Sequence, residues 1–412
     1  GVYPVDLTTF AALLSPGGQA ALQAALALQP RENDFLVHFQ NLCRQYPQAL
    51  ARAALETAIL RQEAAAKFPQ PIATILYLTR QALEQATSYP VARYRAGRYR
   101  SGFRFERLLD LGCSVGGDAF ALAGVAPVIG VDNDPVRLHM ARANLSAVAS
   151  LPESQTIHPA EFIQADLTCP LPIVPIDSTG IFFDPARRTR ERRIYASASY
   201  QPPLQVIDAW LEHFPALAVK LSPGIDLVEV HRYPAEVEFI SLSGELKECV
   251  LWFGPLRTAA RRATVLPSQA HMSVGELAEV DSRQPRLSPP QAYLYEPDPA
   301  VIRAGLVRHL ADEIDATQLD ADIAYLTSQK LTNTPFARLW EIEAWFPFQL
   351  KRLRAYLRER KVGLVTVKKR GSPLEPQALI RELRLHGPAE RVVVLTHLLG
   401  EPLVIICLPP AR

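Results

Sequence analysis

The sequence predicts an α/β fold, in which a helical region precedes a doubly wound, mostly parallel sheet and smaller α+β modules follow it. Alanine and leucine recur at three- and four-residue spacing before residue 90, which is the period of a helix. Short apolar strands then alternate with helices up to about residue 254, as they do in parallel sheets. Strand and helix patterns alternate a second time after residue 336.

Residues 1–90 form the predicted N-terminal helical domain. The helical spacing is clearest in the runs 20–28, 49–66 and 72–83, which Pro30 and Pro69 help to separate. No side-chain pattern in this domain indicates chemistry.

Residues 91–255 form the predicted ligand-binding domain. Its strands are expected at 107–111, 128–131, 162–165, 180–183, 217–221, 237–242 and 246–253, with the clearest helices at 135–148 and 203–213. The last two strands are expected to form an antiparallel pair. Ligands of such sheets bind at the carboxyl ends of the strands, so the residues that follow each strand are the candidate site.

Two further modules follow. Residues 256–335 are expected to form a small α+β module with a helix near 299–314, and residues 336–412 a second one. In the second module the order is a strand at 339–346, a basic helix to Arg360, a strand at 362–367, a helix at 375–385 and strands at 392–398 and 403–407. This β-α-β-α-β-β order is typical of a ferredoxin-like or similar sandwich.

Composition bounds the class of protein. The 412 residues are 48% hydrophobic and 21% charged, with a net charge of +2, so no global nucleic-acid signature is present. No apolar run approaches the length of a membrane span, and no signal peptide is apparent. The five cysteines never share a CxxC spacing, which argues against zinc and disulfides. We therefore expect a globular cytoplasmic protein without metal or membrane partner.

The stretch from Leu108 to Asp118 is the most informative segment, because a buried strand runs into a glycine turn. A dinucleotide site would carry GxGxxG, whereas this turn places Asp110 ahead of Gly112, Ser114 and Gly116. A carboxylate at that position would repel a pyrophosphate and attract an ammonium group. The turn therefore favours a zwitterionic ligand.

Acidic residues lie at the carboxyl ends of four successive strands of the predicted sheet: Asp110, Asp132, Asp166 and Asp184. Each one alone is also consistent with a helix cap or a solvated loop. Their shared position at the carboxyl ends of the strands favours a common ligand site.

The turn resembles the first motif of the class I S-adenosylmethionine-dependent methyltransferases, an acid followed by alternating glycines. The resemblance implies that Asp110 and Gly112 lie at the methionine end of the cofactor and that Gly116 and Gly117 let the backbone approach it. Ser114 stands where the family usually has glycine. In the same resemblance Asp132, followed by Asn133, accepts the ribose hydroxyls, and Asp166 and Leu167 meet the adenine.

Asp184, Pro185, Ala186 and Arg187 occupy the position where N-methyltransferases carry an Asp/Asn-Pro-Pro-aromatic motif. The resemblance implies that Asp184 orients an exocyclic amine of the acceptor. The aromatic residue is absent, and Arg187 is a candidate for stacking on a base or gripping a phosphate. The alternative is that Asp184 caps a helix and pairs with Arg187. Lys220, at the end of the fifth strand, either faces the site or pairs with Asp184.

Basic residues cluster in three places, each of which is also consistent with an ordinary protein surface. A long loop after Arg187 carries Arg190, Arg192, Arg193 and Tyr195. The segment 93–105 interleaves arginines with aromatic rings, the combination that grips phosphates and stacks on unpaired bases, and it supplies Arg93 and Arg95 as candidate RNA contacts. Its alternative is a segment whose rings pack on the sheet. The last module supplies the remaining RNA-binding candidates: Lys351, Arg354, Lys368, Lys369 and Arg370.

A larger resemblance covers most of the chain. Gln85-Ala86-Thr87-Ser88, the glycine turn, Asp184-Pro185-Ala186-Arg187 and Val219 to Gly224 look like a bacterial group of class I methyltransferases with a C-terminal THUMP-like domain. Such domains bind tRNA in RNA-modifying enzymes, so the resemblance implies S-adenosylmethionine as cofactor and a base of tRNA or rRNA as acceptor. The alternatives are a protein or small-molecule methyltransferase, and a catalytically silent cofactor-binding module that binds RNA.

Overall fold

A computed structural model describes residues 5–100, 102–152, 157–187, 200–280 and 284–409. Its residues fall into two compact units. The first holds residues up to 236 together with 249–258, and the second holds 237–248 and the chain from 259 onward. No helix in the described ranges is long and apolar enough to cross a membrane.

The first unit begins with helices, as predicted. They are α1 (Leu7–Leu14), α2 (Pro16–Ala27), α3 (Phe35–Leu42), α4 (Gln48–Ala64), α5 (Gln70–Ala73), α6 (Arg80–Gln85) and α7 (Tyr89–Arg98). Side chains of Asp6, Ser15 and Thr79 accept hydrogen bonds from the first turns of α1, α2 and α6, which fixes where these helices start. The helical part extends to Arg98, past the predicted boundary at residue 90, and α7 belongs to the same compact unit as the sheet that follows.

The predicted alternation of strands and helices is present from residue 107. In chain order its elements are β1 (Arg107–Leu111), α8 (Gly117–Ala123), β2 (Val128–Asp132), α9 (Pro135–Ala149), β3 (Ala160–Gln164), β4 (Thr179–Phe183), β5 (Ala186–Arg187), β6 (Tyr200–Gln201), α10 (Val206–Leu211), β7 (Ala216–Leu221), α11 (Leu227–Val230), β8 (Glu236–Leu242) and β9 (Glu245–Trp252).

In the first unit the strands stand in the order β9-β7-β4-β1-β2-β3. The pairs from β7 to β3 are parallel, and β9 pairs with β7 in the antiparallel sense. Leu111, the last residue of β1, is in register with Val131 on one side and Phe183 on the other. Gly112, Asp132 and Asp184 therefore leave three neighbouring strands at the same edge of the sheet, where ligands of such folds bind.

The second unit contains β8 and the remaining elements. These are β10 (Arg261–Leu266), β11 (Ala270–Val274), β12 (Tyr293–Pro297), α12 (Pro299–Arg303), α13 (Val307–Glu313), β13 (Thr317–Asp320), β14 (Ile323–Ser328), β15 (Ala337–Pro347), α14 (Leu350–Glu359), β16 (Val362–Lys369), α15 (Pro376–Leu383), β17 (Ala389–Leu398) and β18 (Glu401–Cys407).

A sheet in the order β13-β14-β12-β15-β18-β17-β16 dominates this unit. The sequence predicts a boundary between two modules at residue 336. In the structure, strands from both sides of that position pair within this one sheet. The predicted β-α-β-α-β-β order is present from β15 to β18. Alternate residues of β17 enter two separate cores: Val393 and Leu395 lie in the core that includes α14 and α15, whereas Val392 and Val394 lie in the core that includes Tyr325.

Candidate active site

The glycine turn after β1 adopts backbone conformations that suit glycine. Gly112 has φ +83° and Gly116 has φ +88°, and a Cβ atom on Gly112 would lie 2.8 Å from the carbonyl oxygen of Asp184. Only glycine satisfies both conditions at position 112. Gly116 precedes the first residue of α8, so the N–H groups of Gly117 and Asp118 lie in the first turn of that helix.

A buried amide holds this turn against the N-terminal helices. Asn144 of α9 is fully buried, and its Nδ2 donates to the carbonyl oxygens of Val115, at 3.0 Å, and Tyr77, at 2.9 Å. Its Oδ1 accepts from the backbone N–H of Tyr77 at 2.7 Å. Asn144 could not be singled out from the sequence, because its only signal is a polar residue on the apolar face of α9.

Asp132 is fastened to the same turn. One carboxylate oxygen accepts from the backbone N–H of Ser114 and the other from that of Asp134, both at 2.9 Å. The side chain is buried, and each oxygen keeps a second lone pair for a ligand. Asn133 beside it is exposed.

Beneath the turn, Asp110 is almost fully buried at 1% exposure. Burial, together with the negative charges of Asp118 and Asp184, raises the pKa of its carboxyl well above the usual range. Its Oδ2 and the Oγ of Ser114 are buried atoms that make no hydrogen bond within the described residues. Two unsatisfied polar atoms at one turn indicate that a polar ligand completes it.

The acid after β3 has a different environment. Asp166 is exposed and accepts hydrogen bonds from both the N–H and the hydroxyl of Thr168, at 2.8 and 2.7 Å. These bonds lower the pKa of Asp166. Leu167 is buried at the same place. The structure thus places an ionised carboxylate and an apolar side chain after β3.

Asp184 and Lys220 form an ion pair at the carboxyl ends of β4 and β7. The Lys220 Nζ lies 2.6 Å from Asp184 Oδ2, and the two side chains are 17% and 27% exposed. Pro185 is buried next to Asp184. Lys220 therefore pairs with Asp184, which was one of its two predicted roles.

The region after Asp184 is described only in part. The side chain of Arg187 and the predicted loop contacts Arg190, Arg192, Arg193 and Tyr195 lie outside the described residues. Tyr200, where the description resumes, is buried, and its hydroxyl accepts a hydrogen bond from the backbone N–H of Ser222 at 2.7 Å.

The prediction that Arg95 contacts RNA is wrong. Its side chain is 2% exposed, pairs with Asp118 at 2.5 Å, and lies over the Phe182 ring with 4.2 Å between the guanidinium carbon and the ring centre. Arginines lie on both faces of α7, so the local sequence pattern does not distinguish buried Arg95 from exposed Arg93. Arg95 is a structural cation beneath the site.

Other members of the segment 93–105 also pack on the sheet. Arg98 pairs with Glu236 at 2.7 Å and lies over the Trp252 ring, and the Tyr99 hydroxyl donates to the carbonyl oxygen of Ile181. Arg98 and Tyr99 therefore fit the alternative interpretation, in which this segment packs on the sheet. Arg93 is exposed and stays a predicted RNA contact.

Acidic partners reduce the positive charge predicted for the last module. Lys368 pairs with Glu296 at 2.6 Å, Lys369 pairs with Glu375, and Arg370 lies 4.0 Å from Glu296. The neighbouring carboxylates lower the positive potential around these three side chains; Glu296 is distant in sequence from Lys368, whereas Glu375 is six residues from Lys369.

Two arginines of α14 have a structural role as well. Arg354 donates to the carbonyl oxygen of Glu382, and Arg358 donates to that of Arg384. Both carbonyls lie at the C-terminal end of α15, where helix carbonyls lack partners along the helix. Lys351 at the start of α14 is exposed. Within the described residues no cluster of His, Cys, Asp and Glu could hold a metal ion.

The chain is similar in sequence to S-adenosylmethionine-dependent methyltransferases. The chain is 36% identical over 354 residues to an uncharacterized S-adenosylmethionine-dependent methyltransferase of Mycobacterium tuberculosis strain H37Rv, and equally to its counterpart in strain CDC 1551. The alignment covers 84% of this chain and 92% of the relative.

Two family models match parts of the chain. Residues 337–409 match the THUMP domain-like family, and residues 6–64 match a domain of unknown function. Among solved structures, a protein of Porphyromonas gingivalis W83 described as a methyltransferase superposes with a TM-score of 0.73 at 21% identity, covering 95% of this chain and 98% of that one. That likeness concerns the fold.

Proposed function

The chain belongs to the S-adenosylmethionine-dependent methyltransferases, and from this premise we propose that it methylates a base of structured RNA, tRNA or rRNA, with Asp184 orienting the acceptor. The observation that carries the proposal is the Asp184–Lys220 pair, which lies at the same sheet edge as the glycine turn. Cofactor and acceptor groups thus leave neighbouring strands.

The residues at the turn fit S-adenosylmethionine. Gly112, Gly116 and Gly117 keep side chains away from the methionine part, and the unsatisfied atoms of Asp110 and Ser114 supply hydrogen-bonding groups beside it. Asp132 offers two oxygens to the ribose hydroxyls from a position that Ser114 and Asp134 fix. We assign Asn133 to the rim of the ribose pocket, and Asp166 and Leu167 to the adenine. When bound, the cofactor supplies a methyl group on a positively charged sulfur.

On the acceptor side, the Asp184 carboxylate accepts an N–H of the base and thereby aims the nitrogen at the methyl group. The Lys220 ammonium donates to one carboxylate oxygen of Asp184 and so fixes the direction of the other. Buried Pro185 restricts the backbone beside it. Alignment and a fixed electrostatic environment are the contributions expected of such a site. Arg187 remains our candidate for a contact to the acceptor's phosphate or base.

RNA as the acceptor is supported by the THUMP-like match over residues 337–409. Exposed Lys351 and Arg93 are the basic side chains that we assign first to RNA contact. Four other basic side chains are weaker candidates, because each already contacts a carbonyl or a carboxylate of the protein: Arg354, Lys368, Lys369 and Arg370.

The deciding experiment is transfer of labelled methyl from S-adenosylmethionine to total RNA and to total protein. We expect label in RNA with the natural enzyme and none with Asp184→Ala, whereas Asp226→Ala, which alters an exposed helix cap, keeps full activity. Label in protein alone would contradict the RNA proposal. Cofactor binding without transfer to any fraction would favour the silent RNA-binding module.

A second experiment tests docking. We expect the double variant Arg93→Gln, Lys351→Gln, which removes the two exposed basic side chains assigned first, to bind RNA more weakly than the natural protein. Lys330→Gln, Arg286→Gln is the matched control, because it removes two exposed positive charges that are paired with Asp315 and Asp312. Equal loss in both variants would mean that only net charge matters.

A further inference from the structure

One hydroxyl joins two ion pairs at the site. Thr87 lies in the short segment between α6 and α7, and its Oγ1 is 3.0 Å from Lys220 Nζ and 3.1 Å from Arg95 NH2. It also lies 3.4 Å from Asp118 Oδ2. Lys220 is the partner of Asp184, and Arg95 is the partner of Asp118. The Gln-Ala-Thr-Ser segment that the sequence analysis noted thus reaches the site through its threonine.

The direction of these hydrogen bonds is fixed by the donors. An ammonium and a guanidinium can only donate, so Thr87 Oγ1 must accept from both Lys220 and Arg95. Its own proton is then directed toward Asp118, the acceptor at hydrogen-bond distance. A hydroxyl offers one donor and two acceptor positions, and these three contacts use all of them. The Thr87 hydroxyl therefore has a single arrangement of hydrogen bonds that satisfies all three partners.

The two ends of this network lie on the two halves of the site. Asp118 is in the first turn of α8, directly after Gly116 and Gly117, and so moves with the cofactor turn. Asp184 follows β4 on the acceptor side. We propose that Thr87 is a positioning residue, which couples the cofactor turn to the Asp184–Lys220 pair and sets the direction of the Lys220 ammonium. This inference rests on the role proposed above for Asp184.

Removal of the hydroxyl breaks the coupling. In Thr87→Val the side chain keeps its volume, but Lys220 and Arg95 each lose an acceptor in a poorly hydrated place. Lys220 then holds Asp184 in a less defined direction. Because a small misplacement of a reacting group lowers the rate strongly, we expect kcat to fall by about tenfold, with little change in the KM of the acceptor.

The test compares Thr87→Val with Thr87→Ser, which restores the hydroxyl, and with Ser88→Ala, which removes the neighbouring hydroxyl that does not cap α7. We expect Thr87→Ser and Ser88→Ala to keep nearly the natural kcat. A second readout needs no turnover: competitive acetylation of Lys220, followed by mass spectrometry, should be faster in Thr87→Val. Should that variant fail to fold, Thr87→Ala removes the same hydroxyl without a β-branched side chain, and the same acetylation change is expected.

The outcomes separate this inference from the proposed function. Natural kcat and natural Lys220 acetylation in folded Thr87→Val would overturn it, as would equal losses in Thr87→Val and Thr87→Ser, which would indicate packing alone. An active Asp184→Ala enzyme would instead refute the proposed role of Asp184. An inactive Asp184→Ala enzyme beside an unaffected Thr87→Val enzyme would refute only the coupling.

Discussion

Gly112 lies directly against Asp184, since a Cβ atom on Gly112 would come within 2.8 Å of the Asp184 carbonyl oxygen. The first residue of the cofactor turn and the proposed acceptor-orienting residue are thus in contact through their backbones. A change in one is therefore expected to move the other.

Gly112→Ala should destabilise the protein by about 2–4 kcal/mol, because it adds a steric clash to a backbone with φ +83°. Gly97→Ala is the matched control. Gly97 is an exposed glycine of α7 whose Cβ would meet nothing within 4 Å, so alanine there should stabilise by roughly 0.5–1 kcal/mol. Urea unfolding measures both, and similar effects in the two variants would contradict the role of the turn.

Asn144→Ala should cost roughly 2–4 kcal/mol of unfolding free energy, because the Val115 carbonyl and the Tyr77 backbone lose their buried partner. The binding of S-adenosylmethionine should weaken as well, since the turn is then less fixed. Ser146→Ala, an exposed change on the same helix, is the control. Thermal unfolding measures the loss of stability, and calorimetric titration measures the affinity for S-adenosylmethionine. A destabilised Asn144→Ala protein that binds with natural affinity would contradict the role of Asn144 in binding.

Asp132→Asn should weaken S-adenosylmethionine binding by about tenfold or more, because it removes a charged acceptor for the ribose hydroxyls and one of the bonds to Ser114 or Asp134. Isothermal titration calorimetry gives the Kd. Asp226→Asn should leave the Kd unchanged. An unaltered Kd in Asp132→Asn would place the ribose elsewhere.

Asp110→Asn should change how stability depends on pH. Burial raises the pKa of Asp110 in the folded protein, so the unfolded chain loses this proton first as the pH rises. The stabilising contribution is complete below the unfolded pKa, which is about 4, and declines by about 1.4 kcal/mol per pH unit until the folded pKa is reached.

The measurement is urea unfolding from pH 5 to pH 8 for both proteins. The natural protein should lose stability relative to Asp110→Asn as the pH rises. Parallel curves would show that Asp110 has the same pKa in both states.

The sequence predicted the parts of the structure that a local pattern determines. The strand carrying Asp110, the turn at Gly112 and the strand ends at Asp132 and Asp184 follow from apolar runs that stop at glycine or an acid. Parallel pairing then brings the ends together whatever the detailed packing.

Contacts between distant segments could not be predicted in this way. Arg95 and Arg354 look alike in sequence, but Arg95 is buried on Phe182 and Arg354 donates to a carbonyl of another helix. Thr87 gives no signal of its own, since a neutral hydroxyl in a short connection is common. Its proposed role depends on Arg95, Asp118 and Lys220, which lie 8, 31 and 133 residues away.

The hydrogen bonds between Asn144 and Tyr77 limit where the chain can be truncated. A truncated chain beginning at residue 91 would lack Tyr77 and Thr87, and Asn144, Arg95 and Lys220 would each lose a partner. The sheet would keep every strand and still be an incomplete folding unit. We therefore expect limited proteolysis of the native protein to spare the connection between α6 and α7. We also expect the S-adenosylmethionine-binding domain to require the helices before residue 91 for soluble expression.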